Sequence, residues 1–125
     1  MNPAAEPLKQ ALLLQLEAAK LGFDWRQTQE LWDKLAEEVE ELKIAALQGR
    51  EQTQDELGDL LFMAVNLARH LGVDAGEALA QANQKFTRRF GHVLKHLDEL
   101  PALGDARRLE AMEAFWQEAK RAERE

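Results

Sequence analysis

Two short stretches hold the residues best suited to chemistry: "EEVEE" at 37–41 and "ELGD" at 56–59. Carboxylates in such numbers serve as general acids and bases, or hold a hard divalent cation through oxygen. Which role applies depends on where the side chains point, and a helix fixes that, since each residue turns about 100° around the axis. In the first stretch, Leu31, Leu35 and Leu42 define an apolar stripe. With Leu31 at zero, Leu42 lies at roughly +20° and Ala45 at roughly −40°. Glu38 then falls at roughly −20°, where the periodicity calls for leucine, and Glu41 at roughly −80°, on the stripe's edge. Glu40 points to the opposite side, and Glu37 is intermediate.

The second stretch repeats the anomaly. Leu60, Ala64, Leu67 and Leu71 form its stripe, and "LLFMAVNLA" is apolar nearly all round, which predicts burial of most of this helix. With Leu60 at zero, Glu56 lies at roughly −40° and Asp59 at roughly −100°, flanking Met63. Two adjacent helices joined by a short loop thus each carry an i,i+3 pair of carboxylates on or beside an apolar face. Such acids, brought together, repel and resist desolvation unless a cation joins them. An all-oxygen site suits Mg²⁺, with Mn²⁺ as the other candidate. For either pair alone a solvated acidic face is the competing reading, and Thr53 with Glu56 spells a capping box. Neither accounts for Glu38.

Basic and aromatic residues supply a second group. Beside the stripe Phe86, Phe90, Val93 and Leu97 runs a line of Lys85, Arg89, His92 and His96, whereas Arg88 faces away. Such a line is a phosphate-binding edge or a row of surface i,i+4 pairs. The spacing of His92 and His96 fits Zn²⁺, but no acidic or cysteine ligand accompanies them nearby. His70 reads as a favourable charge at a helix C-terminus. Trp116 and Lys120 share a face, either as core or as an aromatic shelf for a base beside a phosphate-seeking lysine. No Glu has a His three residues later, so a Glu-x-x-His di-iron bundle is set aside. No nucleophilic triad is visible.

The elements that must position these residues are helices. Good helix formers dominate, and the predicted spans are Pro7–Lys20, Gln27–Leu47, Glu51–Leu71, a span from a cap at Asp74 to Leu97, and Ala106–Arg121. Asp24 is expected to cap the second helix and Asp105 the last. No alternating strand pattern occurs. The reading is all-α: an antiparallel helical bundle of about five helices in a single domain, 1–125. The third helix is apolar on too many faces for one small chain, so a symmetric homodimer is expected to complete the core.

The remaining composition narrows the partners. The chain has 125 residues and no cysteine, which removes disulfides and thiolate metal sites. Its 23 acidic and 16 basic residues give a net charge of −7, against binding a nucleic-acid polymer non-specifically. "MNPAAEPLKQ" lacks the pattern of a signal peptide, and no stretch is apolar enough for a membrane span. A cytoplasmic, soluble protein is expected. A non-catalytic helical interaction module is the alternative function; it would have no use for Glu38 on the stripe.

The segments "GFDW", "LWDKLAEEVEEL", "DELGDLLFMAVNLARHLG", "ANQKFTRRF" and "FWQEAK" resemble the MazG family of nucleoside triphosphate pyrophosphohydrolases. Its signature EExxE, spacer, ExxD reads here as Glu37, Glu38 and Glu41, then Glu56 and Asp59. The resemblance covers about Leu8 to Arg121, and the chain is similar to the second domain of tandem MazG proteins. It implies an all-α pyrophosphatase working as a dimer with Mg²⁺ on nucleoside triphosphates. On that pattern Glu38, Glu41, Glu56 and Asp59 are metal ligands and Glu37 positions water. Lys85, Arg89, Trp116 and Lys120 match nucleotide-contacting positions. Water attack at the α-phosphorus would release nucleoside monophosphate and pyrophosphate, with Lys85, Arg89 and Lys120 neutralising the leaving group. Stacking on Trp116 tolerates any base, so a broad substrate range is expected.

Overall fold

A computed structural model describes residues 6–124; the opening "MNPAA" of the segment read for a leader lies outside them. Five α-helices follow in order: α1 Pro7–Lys20, α2 Thr28–Ala45, α3 Arg50–His70, α4 Ala75–Leu94 and α5 Arg107–Arg124, with a 3₁₀ turn at Leu97–Glu99. No strand occurs among the described residues, so the all-α expectation holds.

Local chemistry sets the ends. Pro7 opens α1, where its missing N–H costs nothing. Gln27, not Asp24, occupies the cap of α2, and the Glu30 carboxylate accepts the Gln27 and Arg26 backbone N–H groups at 3.0 and 3.1 Å. Gly49, at φ 141°, turns the chain between α2 and α3, a backbone state that side-chain-bearing residues rarely adopt. Asp74 caps α4 by accepting the Glu77 N–H at 3.0 Å, and Asp105 accepts the Arg107 N–H at 2.9 Å. The fourth helix ends at Leu94 rather than Leu97. There the Lys95 N–H is shared between the Gly91 and His92 carbonyls, and His96 N–H bonds Val93, tightening the last turn.

The chain forms two compact units, one up to Ala78 and one from Leu79 onward. In the first, α2 packs along α3, and α1 packs on α3. Leu31, Ala45, Met63 and Val65 are buried there with the polar Gln15, Glu38 and Asn66. Leu31 has no exposed surface, and burying such a side chain contributes about 2 kcal/mol. The expected stripe of α3 is rotated, and α1 turns a polar residue inward. Leu16 is exposed while Gln15 is buried, its Nε2 donating to the Phe62 carbonyl at 3.1 Å. On α3, Ala64 and Leu71 are exposed, whereas Met63 and Asn66 face inward. The expected burial of most of α3 is not met within the chain, since Leu57, Leu61 and Phe62 stand exposed.

In the second unit α4 and α5 carry the buried Val93 and Ala119. Phe86 stacks on Phe90 and lies 5.3 Å from Trp116. Arg108 donates to the Pro101 carbonyl at 2.7 Å, tying α5 to the loop before it. No helix among the described residues is long and apolar enough to cross a membrane.

Candidate metal centre

Glu38 occupies the stripe position of α2 and is only 6% exposed. Glu56, half-buried, and Asp59, exposed, come from the facing part of α3. One carboxylate oxygen from each of these three residues lies within 4.8 Å of the others. Glu38 Oε2 and Glu56 Oε2 are buried without a hydrogen-bond partner. Two buried acceptors facing an acid cluster are costly as they stand. Burial pushes the Glu56 carboxyl above its ordinary range, and the charges of Glu41, Asp59 and Glu38 push it further. The donor set is all oxygen and negatively charged, and therefore fits a hard divalent cation.

The other acids are placed differently. Glu41 is exposed and shares a recess with Gln48, Gln52 and Glu56, beside the three-residue group rather than within it. Glu37 turns outward to Lys34 at 3.6 Å, and the same Lys34 stands 3.5 Å from Glu38 Oε1. Glu37 foremost, then Glu38, holds the Lys34 ammonium above its usual range. Lys34 was not anticipated, although its i,i+3 and i,i+4 spacing to these acids was available. Glu40 pairs with Lys43 at 3.0 Å on the solvent side, as its angle required. The capping box of Thr53 and Glu56 does not form. The cap of α3 is Gly49, and Thr53 Oγ1 donates instead to the Gly49 and Ala45 carbonyls at 2.6 and 3.2 Å.

Lys85, Arg89, Trp116 and Lys120 all belong to the second unit. Lys85 is exposed and Lys120 half-buried. Arg89 bonds Glu123 at 2.8 Å, and Arg88, expected to face away, bonds the other oxygen of the same carboxylate at 2.7 Å. Together the two arginines hold Glu123 below its usual range. Trp116 tilts against Phe86 by 47°, leaving the ring half-buried. The fold also supplies what the sequence lacked near His92 and His96: Glu118 of α5 lies 3.1 Å from His92 Nε2.

One further group escaped sequence reading. Asp24 accepts two hydrogen bonds from the Arg69 guanidinium, at 2.7 and 3.0 Å, and lies 3.0 Å from His70 Nε2. His70 therefore contacts the Asp24–Arg69 ion pair rather than standing alone at the helix end. Hydrogen bonding from Arg69, helped by His70 and the Trp25 N–H, holds the Asp24 carboxyl well below the usual carboxylate range against the effect of burial. The group borders a cavity of about 420 Å³ lined by Gln15, Trp25, Phe62 and Asn66. Asp24 and Arg69 are 45 residues apart, so no local spacing rule could pair them.

Comparison with known proteins identifies the family of the chain. Residues 26–94 match the MazG nucleotide pyrophosphohydrolase domain, a span that includes the whole acidic cluster. The chain is 41% identical over 119 residues to the nucleoside triphosphate pyrophosphohydrolase of Escherichia coli K12, covering 93% of this chain and 45% of that protein. It is 34% identical over 120 residues to the nucleoside triphosphate pyrophosphohydrolase/pyrophosphatase MazG of Thermotoga maritima, covering 96% and 46%. The chain thus spans about half the length of these relatives. On the matched domain and these identities, the chain belongs to the MazG nucleotide pyrophosphohydrolase domain family.

Proposed function

We propose that this chain hydrolyses nucleoside triphosphates to nucleoside monophosphate and pyrophosphate in a Mg²⁺-dependent reaction, over a broad range of bases. The observation that carries the reading is the pair of buried, unpartnered oxygens on Glu38 and Glu56 beside Asp59. Glu38, Glu56 and Asp59 hold the cation, and Glu41 completes the set from its edge. When bound, Mg²⁺ supplies the positive charge that lets a polyanionic triphosphate approach acids and polarises its phosphate oxygens. Glu37, exposed beside Lys34, orients the attacking water and takes its proton. Lys85, Arg89 and Lys120 neutralise phosphate charge, and Trp116 presents a ring face for the base. Names of relatives support the substrate class.

A homodimer is part of the same reading. Leu57, Leu61 and Phe62 on α3 are 44%, 52% and 41% exposed, an apolar face that a second copy would cover. Sedimentation at micromolar concentration should give twice the 14.2 kDa chain mass; a monomer alone would contradict this part.

Turnover of four nucleoside triphosphates and their deoxy forms, with pyrophosphate and orthophosphate measured separately, tests the activity. Pyrophosphate is the expected product, and stoichiometric orthophosphate from the intact enzyme would refute the bond assignment. Lys85→Ala and Arg89→Ala should weaken kcat/KM for every substrate by a similar factor, about 1.5–3 kcal/mol each. Preference for one substrate by more than about a thousandfold would require buried hydrogen bonds to its base or sugar and would overturn the broad range.

A further inference from the structure

We infer that His92, His96 and Glu118 form a second metal site, one for a late first-row divalent ion of the Zn²⁺ type, chemically distinct from the oxygen-only cluster. Ring nitrogens of both histidines and a Glu118 oxygen lie within 4.8 Å of one another. His92 Nε2 and Glu118 Oε2 are 3.1 Å apart, close to the separation of about 3.3 Å that two ligands of one tetrahedral zinc ion adopt. The histidines are one turn apart, with ring centroids 5.0 Å from each other.

The surroundings prepare the rings for ligation. Glu99 occupies the Nδ1 side of His96, so Nε2 is the nitrogen open to a metal ion. A carboxylate on the far nitrogen is the usual device that orients a metal-binding histidine. Phe115 stacks flat on His96, 4.2 Å between centroids and 4° between planes, and meets His92 edge-on at 6.3 Å. Separate pairs of His92 with Glu118 and of His96 with Glu99 are the competing reading; they do not require the second ring nitrogen of His96 to lie beside the His92 and Glu118 ligand atoms, as a shared ion does. Two imidazoles and one carboxylate favour Zn²⁺, Ni²⁺ or Cu²⁺ over Mg²⁺, and leave a fourth position open. An ion held there would tie α4 to α5, the two helices that carry Arg89, Trp116 and Lys120.

Co²⁺ titration of the full chain, followed by its visible absorption, tests the site. The expected result is saturable binding of one Co²⁺ with a tetrahedral spectrum, displaced by Zn²⁺ and insensitive to excess Mg²⁺. Glu38→Gln should leave that spectrum intact, while His92→Gln and His96→Gln should each lower affinity by at least about tenfold. Wild-type affinity in both histidine variants, or loss of the spectrum in Glu38→Gln instead, would overturn the assignment. A measurement independent of variant folding is Zn²⁺ titration of the wild type followed by the imidazole nitrogen resonances of its three histidines. His92 and His96 should shift and His70 should not; movement of His70 alone, or of none, would refute the site.

Discussion

Near its start α3 holds Glu56 and Asp59 beside Glu38; near its end it holds Arg69 and His70 beside Asp24. Both groups draw carboxylates out of full solvation, and they resolve the charge in opposite ways. Asp24 is saturated with donors: two from Arg69, the Trp25 N–H at 2.8 Å, and His70 alongside. Its carboxyl is accordingly held far down. Glu56 has neighbours of its own sign, an unpartnered buried oxygen, and a carboxyl pushed up by burial and repulsion. Lys34 reaches only the Glu37 and Glu38 side of that cluster. One end of the helix carries its own counter-charge and is a structural clamp. In our reading the other end awaits a counter-charge from solution, and this difference separates a stabilising ion pair from a binding site.

The sharpest way to break that contrast is to neutralise the acidic end. Glu38→Gln or Asp59→Asn should lower kcat/KM by more than about a thousandfold, or about 4 kcal/mol, with helical content unchanged by circular dichroism. Retention of near-native Mg²⁺-dependent activity would remove the distinction between the two ends.

A smaller effect is expected at the clamp. Asp24→Asn removes the charge from Arg69's partner and should cost about 2 kcal/mol of stability at neutral pH, read from urea unfolding. Because the folded carboxyl lies below its unfolded value of about 3.9, the contribution is present above that pH and is lost as pH falls through the folded value. The difference between wild type and Asp24→Asn should therefore shrink below about pH 4. A difference that grows on acidification would contradict the clamp.

The smallest effect belongs to Glu40, paired with Lys43 on the solvent face. Glu40→Gln should change stability by less than about 0.5 kcal/mol and leave turnover intact. A loss matching that of Glu38→Gln would mean that the phase of α2 is wrong.

Helical periodicity made much of this legible. Leu31 and Ala45 bracket Glu38 by sequence angle alone, and the fold buries all three. The same angles sent Glu40 outward, where it lies. What was not legible depended on chain reversal or on a competing polar group. Gln15 displaced Leu16 from the interior because its amide finds the Phe62 carbonyl on α3. Glu118 reaches His92 across 26 residues, and Asp24 reaches Arg69 across 45, distances at which no spacing rule operates. The stripe of α3 rotated toward Met63 because α1 and α2 both pack on that helix, and one sequence pattern cannot report two partners. That rotation brings Glu56 nearer the buried line than the leucines suggested, since Met63 is seven residues, about two turns, further along.

Thermal unfolding of wild type and Glu38→Gln, each with and without Mg²⁺, tests the central claim most directly. The account predicts that Mg²⁺ raises the wild-type Tm, as any ligand selective for the folded state must, and leaves the variant unmoved. Without metal, Glu38→Gln should melt at or above wild type, because one charge has been taken out of a crowded, partly desolvated cluster. Equal Mg²⁺ shifts in both proteins, or no shift in the wild type, would contradict the assignment of Glu38, Glu56 and Asp59 to a cation.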